Sequence, residues 1–152
     1  MDEFISDSIL NSDKTTLDSC QHKRKGNLFQ MEWEVILSGY KGKLRLQVNY
    51  VENVEIRVSL EEVFDKVCLR RLEVPLNDEL KYGHRNPRSC GNEYIFTGIH
   101  KHKYLDRVKD GCAYVPNDID TKSIESIIRT FAKECNITLV GSLPGEIYQR
   151  TL

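Results

Sequence analysis

Membrane-length apolar runs, closely spaced cysteine pairs and glycine-rich phosphate cradles are all missing from this 152-residue chain, and each absence removes a class of protein. Without an apolar run of about 20 residues no membrane-spanning helix is expected. The five cysteines, Cys20, Cys68, Cys90, Cys112 and Cys135, are odd in number and contain no C-x-x-C pair, which is not the pattern of a disulfide framework. A chain using cysteine in this way is expected in a reducing compartment, nuclear or cytoplasmic. Gly39-Tyr40-Lys41-Gly42 is the nearest approach to a glycine-rich loop, and it reads as a hairpin turn, not a phosphate cradle. The first residues, MDEFISDSILNSDK, carry acids where a secretory signal has lysines, so no export is expected. A net charge of -1 excludes a generic DNA coat and leaves only local charge separation as a basis for binding polyanions. Nothing pairs Ser89 or Cys90 with a base and an orienting group beyond nearness to His84, so the chain is expected not to be an enzyme and to need no cofactor.

What is present divides into an arm and one domain. Residues 1–28 mix Ser, Asp, Asn and Thr with isolated Phe4, Ile5, Ile9 and Leu10 and end in His22-Lys23-Arg24-Lys25. Such a stretch offers too little apolar surface to offset the entropy of ordering, and a disordered N-terminal arm is predicted. From Met31 the pattern has period two: Met31, Trp33, Val35; then Leu44, Leu46, Val48, Tyr50; then Val54, Ile56, Val58, with charged residues between. Three alternating runs with short turns predict an antiparallel meander with one apolar and one charged face. Ser59-Leu60-Glu61-Glu62 has the form of a capping box, and Leu60, Val63, Phe64, Val67 and Cys68 behind it recur at helical spacing, predicting a first helix. Tyr94–Phe96 and residues 99–108 read as strands, the latter turning at Asp110-Gly111 into Cys112–Val115 as a hairpin. Ile124, Ile127, Ile128, Phe131, Ala132 and Cys135 predict a second helix. The expectation is an α+β fold over residues 29–152: an antiparallel sheet, meander plus hairpin, packed on one face by two α-helices.

The chemistry concentrates in residues 81–109. Lys81, Arg85, Arg88, Lys101, Lys103, Arg107 and Lys109 face only Glu93 and Asp106 there, seven cations less two acids, while Tyr82, Tyr94, Phe96 and Tyr104 are interleaved. Cations for phosphates and rings for bases are what a nucleic-acid surface needs. Cys90, His100, His102 and Cys112 also form a C-x9-H-x-H-x9-C array of zinc-ligand types, although a tight hairpin at Asp110-Gly111 would hold Cys112 far from His102. The arm residues Phe4, Ile5, Ile9 and Leu10 suit a motif that folds on a partner, with Trp33 and Tyr40 as aromatic anchors. Together these features describe a non-catalytic interaction or adaptor domain of an intracellular complex associated with RNA or chromatin, with a protein partner, no membrane and an oligomeric state left open. A direct nucleic-acid-binding domain, stabilised or not by zinc, is the alternative, and a small hydrolase the third.

Overall fold

The computed structural model describes residues 1–77, 84–91, 94–95, 98–106 and 111–145, with the side chains of 84, 85, 94 and 95 left aside. Its elements in chain order are α1 (Glu3–Asn11), β1 (Lys14–Thr16), β2 (Gln21–Lys25), β3 (Leu28–Ile36), β4 (Leu44–Val51), β5 (Glu55–Glu62), β6 (Val67–Pro75), β7 (His84–Arg85), a short 3-10 turn (Arg88–Cys90), β8 (Tyr94–Ile95), β9 (His100–Lys103), β10 (Cys112–Tyr114), α2 (Ile124–Glu134) and β11 (Ile137–Thr138). Nine strands form one mixed open sheet in the order β10-β9-β6-β5-β4-β3-β1-β11, with β2 paired to the other half of β3, while β7 and β8 make a separate two-stranded ribbon. The fold is α+β and dominated by the sheet. Among the described residues no helix is long and apolar enough to cross a membrane.

The predicted meander is present as β3, β4 and β5. Met31 faces Val48, Trp33 faces Leu46 and Val35 faces Leu44, and Leu46 and Val48 in turn face Leu60 and Val58. Because side chains alternate along a strand, this register drives one set into a core in which Met31, Leu46, Val48, Val58 and Leu60 are fully buried. Burying each such side chain stabilises the fold by about 1.5–3 kcal/mol. The opposite set meets across strands as polar pairs, Arg45 reaching Glu61 at 2.6 Å and the Gln30 amide donating to Asn49 Oδ1 at 2.7 Å.

The first predicted helix does not form. Ser59 to Glu62 extends β5, and the chain returns directly as β6. Leu60 and Glu62 continue the two-residue period of Ile56 and Val58, and both flanking strands supply backbone partners along this stretch. Those sheet hydrogen bonds outweigh a local capping signal. The Glu62 carboxylate accepts from the backbone N–H of Lys43 and Asp65, so it caps two turns instead of a helix. β6 is interior, between β5 and β9, and Pro75 falls at its end, beyond the stretch that pairs with β9.

The predicted arm is also corrected. Asp2 caps α1 by accepting from the Ile5 N–H at 2.8 Å, and Ser6, Ile9 and Leu10 are buried. Ile9 and Leu10 belong to the same apolar cluster as the sheet residues and as Ile124, Ile127, Ile128 and Phe131 of α2. The buried Lys14 ammonium donates to the carbonyls of Ile9, Leu10 and Ser12, closing the helix C-terminus. β1 then pairs with β3 on one side and, in parallel, with β11 on the other. Part of the order in this segment comes from β11 and Asn136, more than a hundred positions away, a source of stability that composition does not reveal.

The last helix follows its apolar stripe, starting at Ser123, where the Ser123 and Ser126 side chains cap each other's backbone. Asn136 takes the left-handed conformation that ends it, with φ 55°. The hairpin is not the tight one predicted. Cys112 faces Lys103 and Ala113 faces His102, a register that a two-residue turn at Asp110-Gly111 could not give. Gly111 makes that approach feasible: its φ is +61°, and a Cβ there would collide with the Lys103 carbonyl oxygen.

Candidate functional site

Of the cations in residues 81–109, the side chains of Arg88, Lys101 and Lys103 are described, and they do not share one environment. Lys101, expected as a nucleic-acid contact, is 1% exposed, with its ammonium 2.7 Å from Asp118 Oδ1 and 3.5 Å from Glu134 Oε2. Its strand side is the core side, where Arg70 on β6 also pairs with Glu134 at 3.2 Å. A buried charge needs a partner, and these acids supply it. Lys101 is therefore withdrawn as a phosphate contact. Lys103 is half-exposed but paired with Asp7 of α1 at 3.2 Å. Arg88 is exposed. Lys81, Arg107 and Lys109 lie outside the described residues, as does the side chain of Arg85.

The expected partner-binding residues divide as well. Trp33 is 2% exposed and sits in the core, so it cannot anchor an interface, and Ile9 and Leu10 are likewise buried. Tyr40 is half-buried against the core. Phe4 at 83% and Ile5 at 42% remain outside on α1.

The four-ligand zinc array is overturned. Cys90 and Cys112 are joined in a disulfide, with Cα atoms 5.5 Å apart, which removes both thiolates. The spacing gives no disulfide framework, yet these two cysteines pair, while Cys20, Cys68 and Cys135 stay as free thiols. Nearby, Asn86 seals the outer edge of β10: its amide donates to the Ala113 carbonyl at 2.7 Å, and its carbonyl oxygen accepts from the Ala113 N–H at 2.8 Å. Both residues are buried, and a side-chain amide stands where a further strand would pair.

The histidines of that array stay together and gain a different companion. His100 and His102 project to the same side of β9, with ring centroids 4.9 Å apart in an edge arrangement. The β6–β9 register sets Glu73 opposite His100 and Arg71 opposite His102. Glu73 Oε2 lies 3.1 Å from His100 Nε2, while Oε1 takes Arg71 Nε at 2.9 Å and Arg57 Nε at 3.3 Å. The Gly98 carbonyl is 3.0 Å from His100 Nδ1, so both ring nitrogens face oxygen. Burial would raise the Glu73 carboxyl, but the His100 hydrogen bond and the charges of Arg57, Arg71 and His100 overturn it and bring its pKa down to about 2. Burial would lower His100, but the Glu73 and Gly98 bonds prevail and its pKa is raised. Sequence spacing places the two histidines on one face; nothing local announces Glu73, because only the pairing of β6 with β9 brings it there.

One basic run survives exposed. Every residue of β2, Gln21-His22-Lys23-Arg24-Lys25, is exposed. The Arg24 guanidinium lies over the Phe29 ring at 4.5 Å and donates to the Gly26 carbonyl. His22, Lys23 and Lys25 make no ion pair among the described residues, unlike Arg45, Arg57, Arg70, Arg71 and Lys103. Among the described residues β2 pairs only with β3, and no strand pairs with its other edge. Comparison with known proteins returns no matching family model, no matching curated protein and no matching solved structure, so geometry alone carries the functional reading.

Proposed function

We propose that this chain is a non-catalytic interaction domain of a larger intracellular assembly, nuclear or cytoplasmic, and that it meets a nucleic-acid partner through β2. The observation that carries the reading is the exposed run His22-Lys23-Arg24-Lys25 on a sheet edge, where among the described residues no further strand pairs with it and its lysines have no ion pair. Cations neutralised by neighbouring carboxylates have little to offer a phosphate, whereas these two lysines exchange only water and counterions on binding. Lysines on an open edge also discourage pairing with a second sheet, a role compatible with binding and satisfied by fewer charges. Arg88 and the cations of residues 81–109 that lie outside the described residues are the second contact in this reading. In a reducing compartment the Cys90–Cys112 bridge would be open to reduction.

The test is the affinity of the full chain for a fluorescent single-stranded oligonucleotide as salt is raised from about 50 to about 200 mM. A steep loss of affinity with salt, abolished by Lys23→Glu with Lys25→Glu, supports the reading. Binding that is absent, or insensitive both to salt and to these substitutions, refutes it and leaves an acidic protein surface as the occupant to look for. Deleting the first 28 residues is not a usable test, since it would remove α1, β1 and β2 from the fold.

A further inference from the structure

We infer that Glu73, His100 and His102 form a binding site for one first-row divalent ion, with Zn2+ as the reference case. The donor atoms of the three residues lie within 4.8 Å of one another, the spread expected of groups that meet at a common ion. Two imidazoles and one carboxylate are a donor set that such ions accept, leaving at least one position for water or a ligand.

The surrounding groups orient the donors. His100 directs Nδ1 to the Gly98 carbonyl, which turns Nε2 toward Glu73. A histidine ligand held at its second nitrogen by a backbone carbonyl has its ring and tautomer fixed in advance. Arg71 and Arg57 hold Glu73 Oε1, so Oε2 is the oxygen presented to the histidines. All three donors stand on adjacent paired strands, and His100 and His102 are 6% and 5% exposed. A rigid, shielded mount of this kind keeps donors in place at low entropic cost. A cleft of about 240 Å³ beside Arg71, His102 and Tyr104 gives an ion a route to the His102 imidazole.

The same geometry sets the character of the site. Two guanidiniums beside one carboxylate oppose the incoming charge, so binding is weaker than at a closed four-ligand structural zinc site. The ion takes the place of the His100 Nε2 proton, and that proton leaves to solvent. Cys90 and Cys112, bonded to each other, contribute nothing. The site is independent of the contacts proposed for β2, which lies at the other side of the meander.

The experiment treats the full chain with chelator, removes the chelator, and titrates it with Zn2+ by calorimetry and with Co2+ by visible absorption. The expected result is one equivalent of either ion, a Co2+ spectrum without a thiolate charge-transfer band, and loss of binding in His102→Asn and in His100→Asn. The double variant Cys20→Ser with Cys68→Ser should bind as the parent does. Circular dichroism of each variant confirms folding; should either histidine variant fail to fold, Co2+-induced broadening of the His100 and His102 ring resonances in the parent replaces it. Absence of stoichiometric binding, binding that survives both histidine variants, or binding that disappears with the two cysteines overturns the assignment.

Discussion

Lys101 on β9 lays its ammonium 2.7 Å from the carboxylate of Asp118, in the segment between β10 and α2, with only 1% of the lysine exposed. Glu134 at the end of α2 closes the pair from the other side at 3.5 Å, and Arg70 shares that acid. One lysine thus ties the sheet to the last helix and to the segment before it. Lys101→Ala should destabilise the protein by about 3 kcal/mol or more, because it removes a fully buried stem and uncouples two acids. Asp118→Asn, at a half-exposed side chain, should cost less than about 1 kcal/mol. Urea unfolding of both variants checks the order; a Lys101→Ala protein as stable as the parent would mean that the ammonium is not held in this network.

The N-terminal helix gives a second contrast. Leu10 is 4% exposed in the core cluster and Phe4 is 83% exposed on the same helix. Leu10→Ala should cost about 2–5 kcal/mol as a cavity-forming change. Phe4→Ala should stay within about 0.5 kcal/mol of the parent. Thermal unfolding of the two variants measures this, and equal small effects would restore the picture of an unanchored arm.

These two cases show which parts of the fold could be read from residues alone. The meander was legible because Met31 to Val58 alternates over three runs, and α2 because its stripe repeats at helical spacing; both are local periodicities. The segment Leu60 to Cys68 fits either period over so short a span, and the pairing of β5 with both β4 and β6 decides in favour of the strand. α1 and β1 look like an arm because two of the partners that hold them, β11 and Asn136, are remote in sequence, and the pairing of β1 with β3 leaves no local periodicity in so short a strand. The candidate site divides in the same way. His100 and His102 share a face by simple alternation, whereas Glu73 joins them only through register. The cationic count of residues 81–109 was correct as arithmetic, but it says nothing of which side of the sheet Lys101 occupies or that Asp7 of α1 meets Lys103.

The segment beside β10 is fastened twice, and the two fastenings should be separable. Asn86→Ala removes both hydrogen bonds to Ala113 and leaves a buried N–H and C=O exposed to no partner of theirs, at a cost of about 1–3 kcal/mol. The Cys90–Cys112 bond spans 22 residues. Replacing both cysteines with serine should cost about 3 kcal/mol, mostly through greater freedom of the unfolded chain. Hydrogen exchange at the Ala113 amide distinguishes them: Asn86→Ala should accelerate it strongly even with the bridge intact, and an unchanged rate would show that the carboxamide does not seal this edge.

The Glu73–His100 pair predicts a stability maximum on the acid side of neutrality for protein kept free of metal by chelator. Glu73 has a folded pKa of about 2 against an ordinary 4.5, so its contribution is complete above the higher value and disappears as pH falls toward the lower one. His100 is raised above its ordinary 6.5, so its contribution is complete below that value and is lost as pH rises through the folded one. Arg57 and Arg71 also face Glu73, and the His102 ring lies 4.9 Å from that of His100. The two windows overlap between 4.5 and 6.5. The stability gap between the parent and His100→Gln should therefore be widest at about pH 5.5 and narrower at about pH 8 and about pH 2.5, as read from urea unfolding at each pH. Glu73→Gln should flatten the profile on both sides, because it removes the acid whose titration sets one limit and the anion that raises His100 at the other. A gap that widens steadily toward alkaline pH would show that neutral His100, and not the ion pair, stabilises this part of the sheet.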